Sequence, residues 1–113
     1  GGDRDRDKRG PMGRAAGDAD RVVVTDDNPR SEDPAGIRAA VVAGARTGPA
    51  AVSEVAGRAT AIEGAVVDAA PGDVVLVLGR GHEPEQEVAG RRVPLDDRDL
   101  VRTALHRRTA VRS

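Results

Sequence analysis

The apolar positions of this chain come in short bursts, and their period changes from one burst to the next. Residues 21–25, RVVVT, form a β-branched run of strand length. Residues 74–78, VVLVL, are apolar at every position, the pattern of a central parallel strand covered on both faces. Between them the spacing turns helical. Ile37, Ala40 and Val41 share one face of a helix predicted over 34–45. Ala59, Ile62, Val66 and Ala69 share one face of a second over 58–70. A weak short strand is read at 51–55. After 74–78 come a glycine-rich loop, GRGHEPEQ, and a small hairpin, QEVAGRRVPL, turning at Gly90. A last helix opens at DDR, with Val101, Ala104 and Leu105 on one side. Residues 1–20 are charged and glycine-rich, with a short helix near 12–19.

Local punctuation agrees with these boundaries. Asp33 stands where an N-cap is needed, and Pro34 takes the first helical position, where a missing N–H costs nothing. RTGPA ends that helix, PGD turns the chain before 74–78, and Asp96 caps the last helix. The order strand, helix, strand, helix, strand, hairpin, helix predicts an α/β, Rossmann-like fold. Its sheet is mostly parallel and flanked by helices, with a small C-terminal hairpin. One domain is expected over 1–108, with 109–113 as a frayed tail.

Composition sharpens this in three ways. The chain has 113 residues and no Phe, Tyr or Trp, so one small domain must build its core from Val, Ala, Leu and Ile. Aromatic rings normally bury the largest areas, so the core is expected to be thin. Lys and Arg number 18 against 19 Asp and Glu, with no long basic stretch and no ring to stack a base, which argues against a nucleic-acid partner. Cysteine is absent, which removes disulfides and thiolate zinc sites. No apolar run is long enough to span a bilayer, so no membrane partner is expected and the location is read as cytoplasmic. The chain opens at Gly1-Gly2 rather than Met. Its opening GGDRD reads as a strand-end loop whose strand lies outside the chain, so the domain is expected to be incomplete at its N-terminus.

In open α/β sheets ligands bind beyond the carboxyl ends of the strands. The strand at 21–25 runs into Asp27, Asn28, Pro29 and Arg30, and 74–78 runs into Gly79, Arg80, Gly81, His82 and Glu83. GGDRD would bring Asp3 and Arg4 to the same edge. Arginine matches a carboxylate with two parallel bonds, and an acid neutralises an ammonium group. Both signs on one edge suit a zwitterion such as an amino acid. Gly79 and Gly81 would allow close backbone approach. From the residues alone, a polar turn with a solvated arginine is the favoured reading of DDNPR, and a glycine turn is an equal reading of GRGHE. His82 has no Ser or Cys nucleophile beside it. Asp96, Asp97 and Asp99 read as helix-start acids, with no metal. No GxxxxGK[ST] run occurs, so phosphate-loop chemistry would lie elsewhere.

The segments GGDRDRDKR, VVVTDDNPRSEDP, GRATAIEGAVVDAAPGDVVLVLGRGHE and PLDDR occur in this order. With them the chain, over 1–105, closely resembles the C-terminal domain of MurE-type Mur ligases. The resemblance implies an ATP-dependent amide ligase that adds meso-diaminopimelate to UDP-MurNAc-L-Ala-D-Glu in peptidoglycan precursor synthesis. ATP would activate the D-glutamate carboxylate as an acyl phosphate, which the incoming amine attacks. ATP and Mg2+ would be bound mainly by a central domain outside this chain, and the UDP-MurNAc-dipeptide through domains outside it. Carried over by position, the diaminopimelate contacts are Arg4, Asp27, Asn28, Pro29, Arg30, Gly79 and Glu83, with Arg30 on the distal carboxylate. Asp3 would face the nucleotide, and no catalytic residue falls in this chain. Relatives that add L-lysine typically replace the DNPR arginine, so Arg30 favours diaminopimelate. The alternatives are an L-lysine-adding relative and a non-catalytic small-molecule binding module. Three features depart from the family pattern: Arg80 stands where lysine is usual, Glu85 where an aromatic often follows GKGHE, and KRP is displaced to KRGP.

Overall fold

The structure is a computed structural model that describes residues 6–16, 19–79, 85–89 and 91–112. A short 3-10 turn over Arg6–Lys8 leads into α1 (Arg9–Ala16), followed by β1 (Arg21–Val24), α2 (Pro34–Ala45), β2 (Ala51–Glu54) and α3 (Arg58–Asp68). The hairpin β3 (Glu85–Val88) and β4 (Arg91–Pro94) precedes α4 (Asp97–Arg112). Thus 109–112 of the expected tail is helical, and Thr109 Oγ1 donates to the Leu105 carbonyl at 3.0 Å.

Local signals explain where these elements start. Asp33 accepts the Ala35 N–H at 3.2 Å, which fills one orphan donor at the start of α2, and Pro34 follows as its first residue. Asp96 accepts the Arg98 N–H at 2.9 Å in the same way at α4. β1 and β2 pair in parallel, with Val22 opposite Val52 and Val24 opposite Glu54. β3 and β4 are antiparallel, with Val88 opposite Arg91, which is the predicted hairpin; Gly90, where the turn is expected, lies outside the described residues.

Packing divides between two helix pairs. α2 lies against β1 and β2 and carries α1 on its side. The α1–α2 crossing is a backbone contact: a Cβ on Gly13 would stand 2.0 Å from the Val41 carbonyl, and one on Gly44 would stand 2.1 Å from the Gly10 carbonyl. α3 and α4 enclose Ile62, Val66 and Ala104, with Val77, Leu100 and Val101 packed against them. The core is thin, as the composition implies: among the described residues no large side chain is fully buried, and the largest buried apolar ones are Ile37 and Ile62.

The helical faces are rotated slightly from those predicted. α2 buries Ile37, Val42, Gly44 and Ala45 rather than Ala40 and Val41, because the α1 contact through Gly44 turns that side inward. α3 buries Ala61, Ile62 and Val66 while Ala59 faces water. On α4, Ala104 is buried but Leu105 is half exposed.

The larger correction concerns 74–78, which is no strand and belongs to no ladder. Val74, Leu76 and Leu78 are 83%, 74% and 72% exposed, while Val77 turns onto the α3–α4 core. The all-apolar run implied cover on both faces. A ladder requires a neighbouring strand, and among the described residues β1 pairs with β2 alone. One face of 74–78 is therefore packed and the other is open.

The two glycine classes on α2 give a paired test. Gly44→Ala forces a Cβ into the Gly10 carbonyl and is expected to cost about 3 kcal/mol in urea unfolding. Gly36→Ala meets no atom within 4 Å and is expected to stabilise by about 0.5–1 kcal/mol through helix propensity.

Candidate functional site

The site grows from the carboxyl end of β1. Val24 is buried, and its carbonyl accepts the Val55 N–H at 2.9 Å, one step past the β1–β2 ladder. Thr25 then donates through Oγ1 to the Val55 carbonyl at 2.6 Å. Asp26 is bound on both carboxylate oxygens, by the Arg38 guanidinium and by the Gly57 N–H at 2.9 Å. It therefore ties the end of β1 to α2 and to the start of α3. Arg38 also binds Glu54 at 2.9 Å, which ties in β2.

Asp27 comes next and meets the second predicted loop. A Cβ on Gly79 would lie 2.6 Å from Asp27 Oδ2, and Gly79 has φ +109°. Only glycine allows both the backbone angle and the carboxylate at that distance. Thus Asp27 and Gly79, assigned to one site from separate strand ends, are in contact range.

The following turn is unusual. Asn28 and Arg30 have φ of 44° and 53°, in the left-handed region that side-chain-bearing residues seldom adopt, and Pro29 between them is buried. The hairpin braces it. Asn28 N–H donates to Gln86 Oε1 at 3.3 Å, Arg30 forms a parallel bridge with Val88, and Ala89 N–H donates to the Arg30 carbonyl at 2.7 Å. Beyond the turn, Glu32 binds Arg9 of α1 at 2.9 Å.

Sequence reasoning missed the residue that joins these pieces. Arg58, at the first position of α3, is 5% exposed. Its Nε and Nη2 bind the two Asp97 oxygens at 2.8 and 2.6 Å. Its Nη1 reaches the Asp26 carbonyl at 3.1 Å, and Nη2 reaches the Leu78 carbonyl at 2.8 Å. Burial disfavours its charged form, but the bonds to Asp97 and the fields of Asp97, Asp27 and Asp26 outweigh burial and raise its pKa above the ordinary value. The one available signal was a cation at a helix N-terminus, where the macrodipole opposes it. Asp97, read as one of three helix-start acids, is the buried partner. Asp96 does the capping, and its half-buried carboxyl is held below its ordinary value by hydrogen bonds from Arg98.

Of the predicted site residues, Asp27, Asn28, Pro29, Arg30 and Gly79 gather at one edge. Asp3, Arg4 and Glu83 lie outside the described residues, as do Arg80, Gly81 and His82. His106 is exposed on α4. The edge offers a cation and an acid three positions apart on one constrained loop. That arrangement can recognise a molecule carrying both a carboxylate and an ammonium group.

Residues 1–81 match the family described as Mur ligase, glutamate ligase domain. UDP-N-acetylmuramoyl-L-alanyl-D-glutamate–2,6-diaminopimelate ligase of Corynebacterium glutamicum is 56% identical over 112 residues, covering 93% of this chain and 22% of that protein. Its counterpart in Prochlorococcus marinus is 55% identical over 109 residues, covering 96% of this chain and 21% of that one. A solved structure of a ligase with the same name superposes with a TM-score of 0.89 at 42% identity, over 96% of this chain and 23% of the other. The chain spans about a fifth of the length of the curated relatives it matches.

Arg58→Met should leave the Asp97 carboxylate buried without a counter-charge, at a cost of about 3–5 kcal/mol. Adding Asp97→Leu removes that charge, so the double variant is expected to recover most of the loss in urea unfolding.

Proposed function

We propose, from the premise that this chain belongs to the Mur ligase family and carries its glutamate ligase domain, that it is the amino-acid-binding part of an ATP-dependent amide ligase. The ligase adds meso-diaminopimelate to UDP-MurNAc-L-Ala-D-Glu in the cytoplasmic stage of peptidoglycan precursor synthesis. The observation that carries this reading is the loop 26–30. It sets Asp27 and Arg30 at a strand end and is held by ties to α2, α3 and the hairpin.

In this reading Arg30 takes the distal carboxylate of diaminopimelate in a two-bond pairing. Asp27 and Glu83 balance the ammonium charge, while Arg4, Asn28 and Pro29 complete the seat. Gly79 lets the backbone come close to the ligand. These residues orient an uncharged amine toward the activated D-glutamate carbonyl. The amine forms the new C–N bond, its extra proton passes to solvent, and the C–O bond to phosphate breaks as the tetrahedral intermediate collapses. L-Lysine has no distal carboxylate, so it would leave the Arg30 charge unpaired.

ATP and Mg2+ would supply the activation step, and this chain lacks the loop that would hold most of the nucleotide. It contains no GxxxxGK[ST] run to cradle a triphosphate. Both are assigned to the rest of the ligase, with Asp3 facing the nucleotide, and the UDP-sugar likewise.

Arg30→Ala in the full-length ligase should remove about 2 kcal/mol or more of diaminopimelate binding, a rise in its KM of roughly 30-fold. The KM for ATP should stay within about twofold. An unchanged KM for diaminopimelate would sink the assignment.

A further inference from the structure

Three side-chain-bearing residues among those described adopt left-handed backbone: Asn28 at φ 44°, Arg30 at 53° and Ala89 at 50°. All three sit at one junction, where the loop 28–30 meets β3 and its turn. Left-handed backbone is disfavoured wherever a Cβ is present, and Arg and Ala lack the local side-chain bonds that ease it for Asn. Such a loop keeps its shape only if its surroundings over-determine it.

The hairpin supplies those constraints. One is the backbone bridge between Arg30 and Val88, in which the Ala89 N–H donates to the Arg30 carbonyl at 2.7 Å. The other is a side chain: Gln86 Oε1 accepts the Asn28 N–H at 3.3 Å, across 58 residues of sequence. Gln86 and Val88 are two apart on β3, so they lie on the same face of the strand. Gln86 therefore holds the entry of the turn while Val88 and Ala89 hold its exit.

We propose that Gln86 is a positioning residue for amino-acid recognition: by accepting the Asn28 N–H it keeps the loop 28–30 in the left-handed form that presents Asn28 and Arg30 to the ligand. The inference deepens the amino-acid-binding reading above and rests on it. Selectivity is then set by the hairpin as well as by the loop that touches the ligand. An acceptor at position 86 is required, whereas its amide nitrogen is not.

The test uses steady-state kinetics of the full-length ligase with meso-diaminopimelate. Gln86→Leu keeps bulk and removes the acceptor; it should raise the KM for diaminopimelate roughly tenfold while kcat and the KM for ATP stay within about twofold. Gln86→Glu retains an acceptor oxygen and should keep a KM within about twofold of wild type. In an Arg30→Ala background, Gln86→Leu should add less than about twofold, because its effect passes through the placement of Arg30. If Gln86→Leu does not fold, Gln86→Ala carries the same expectation. Full additivity with Arg30→Ala, an equal rise in both KM values, or no rescue by glutamate would overturn the proposal. A wild-type enzyme that uses meso-diaminopimelate but is indifferent to Gln86→Leu overturns this inference alone. A wild-type enzyme that does not use it overturns the underlying reading as well.

Discussion

The Arg58 guanidinium bonds the two carboxylate oxygens of Asp97 and the carbonyls of Asp26 and Leu78, inside a region that leaves the residue 5% exposed. It thereby joins the carboxyl end of β1, the carboxyl end of 74–78 and the N-terminus of α4. A buried ion pair adds little net stability over a well-packed apolar pair, since desolvation offsets the attraction. Its consequence is geometric. Once the charge is buried, every oxygen around it must stay in place. The two loops that could flank a ligand begin one residue beyond the two carbonyls it holds.

This dependence follows from composition. Without aromatic rings the chain cannot lock its loops with a large apolar core, and among the described residues no large side chain is fully buried. Polar ties do the positioning instead. Arg38 joins Asp26 to Glu54, Arg9 joins α1 to Glu32, and Gly57 N–H closes on Asp26. The tightest apolar packing is achieved by removing side chains, at the Gly13–Gly44 crossing of α1 and α2. The segment 74–78 shows the other side of this economy. The Val77 side chain and the Leu78 carbonyl attach it, while Val74, Leu76 and Leu78 remain in water.

The loop 26–30 follows the same logic on a smaller scale. Its left-handed residues are unfavourable locally, and hairpin contacts offset that cost. A loop restrained in this way would lose little freedom on meeting a ligand. It also explains why a hairpin that follows GRGHE in sequence matters to DNPR. The Arg30–Val88 bridge makes one unit of two segments that are distant along the chain.

What the sequence determined by itself was set by neighbours within one or two turns of chain. Asp33 and Pro34 start α2, Asp96 starts α4, 85–88 and 91–94 form a hairpin, and 21–24 and 51–54 take strand form. The alternation of strands and helices also sent Asp27 and Gly79 to one edge before any contact was known. Tertiary structure decided the rest. Arg58 finds Asp97 39 residues away and Leu78 20 residues away, and Asn28 finds Gln86 58 residues away. Apolar pattern at 74–78 reports a preference for burial, whereas pairing requires a neighbour at hydrogen-bonding distance. A left-handed turn in a residue such as Arg30 has no local signal, because the contacts that sustain it come from another part of the chain.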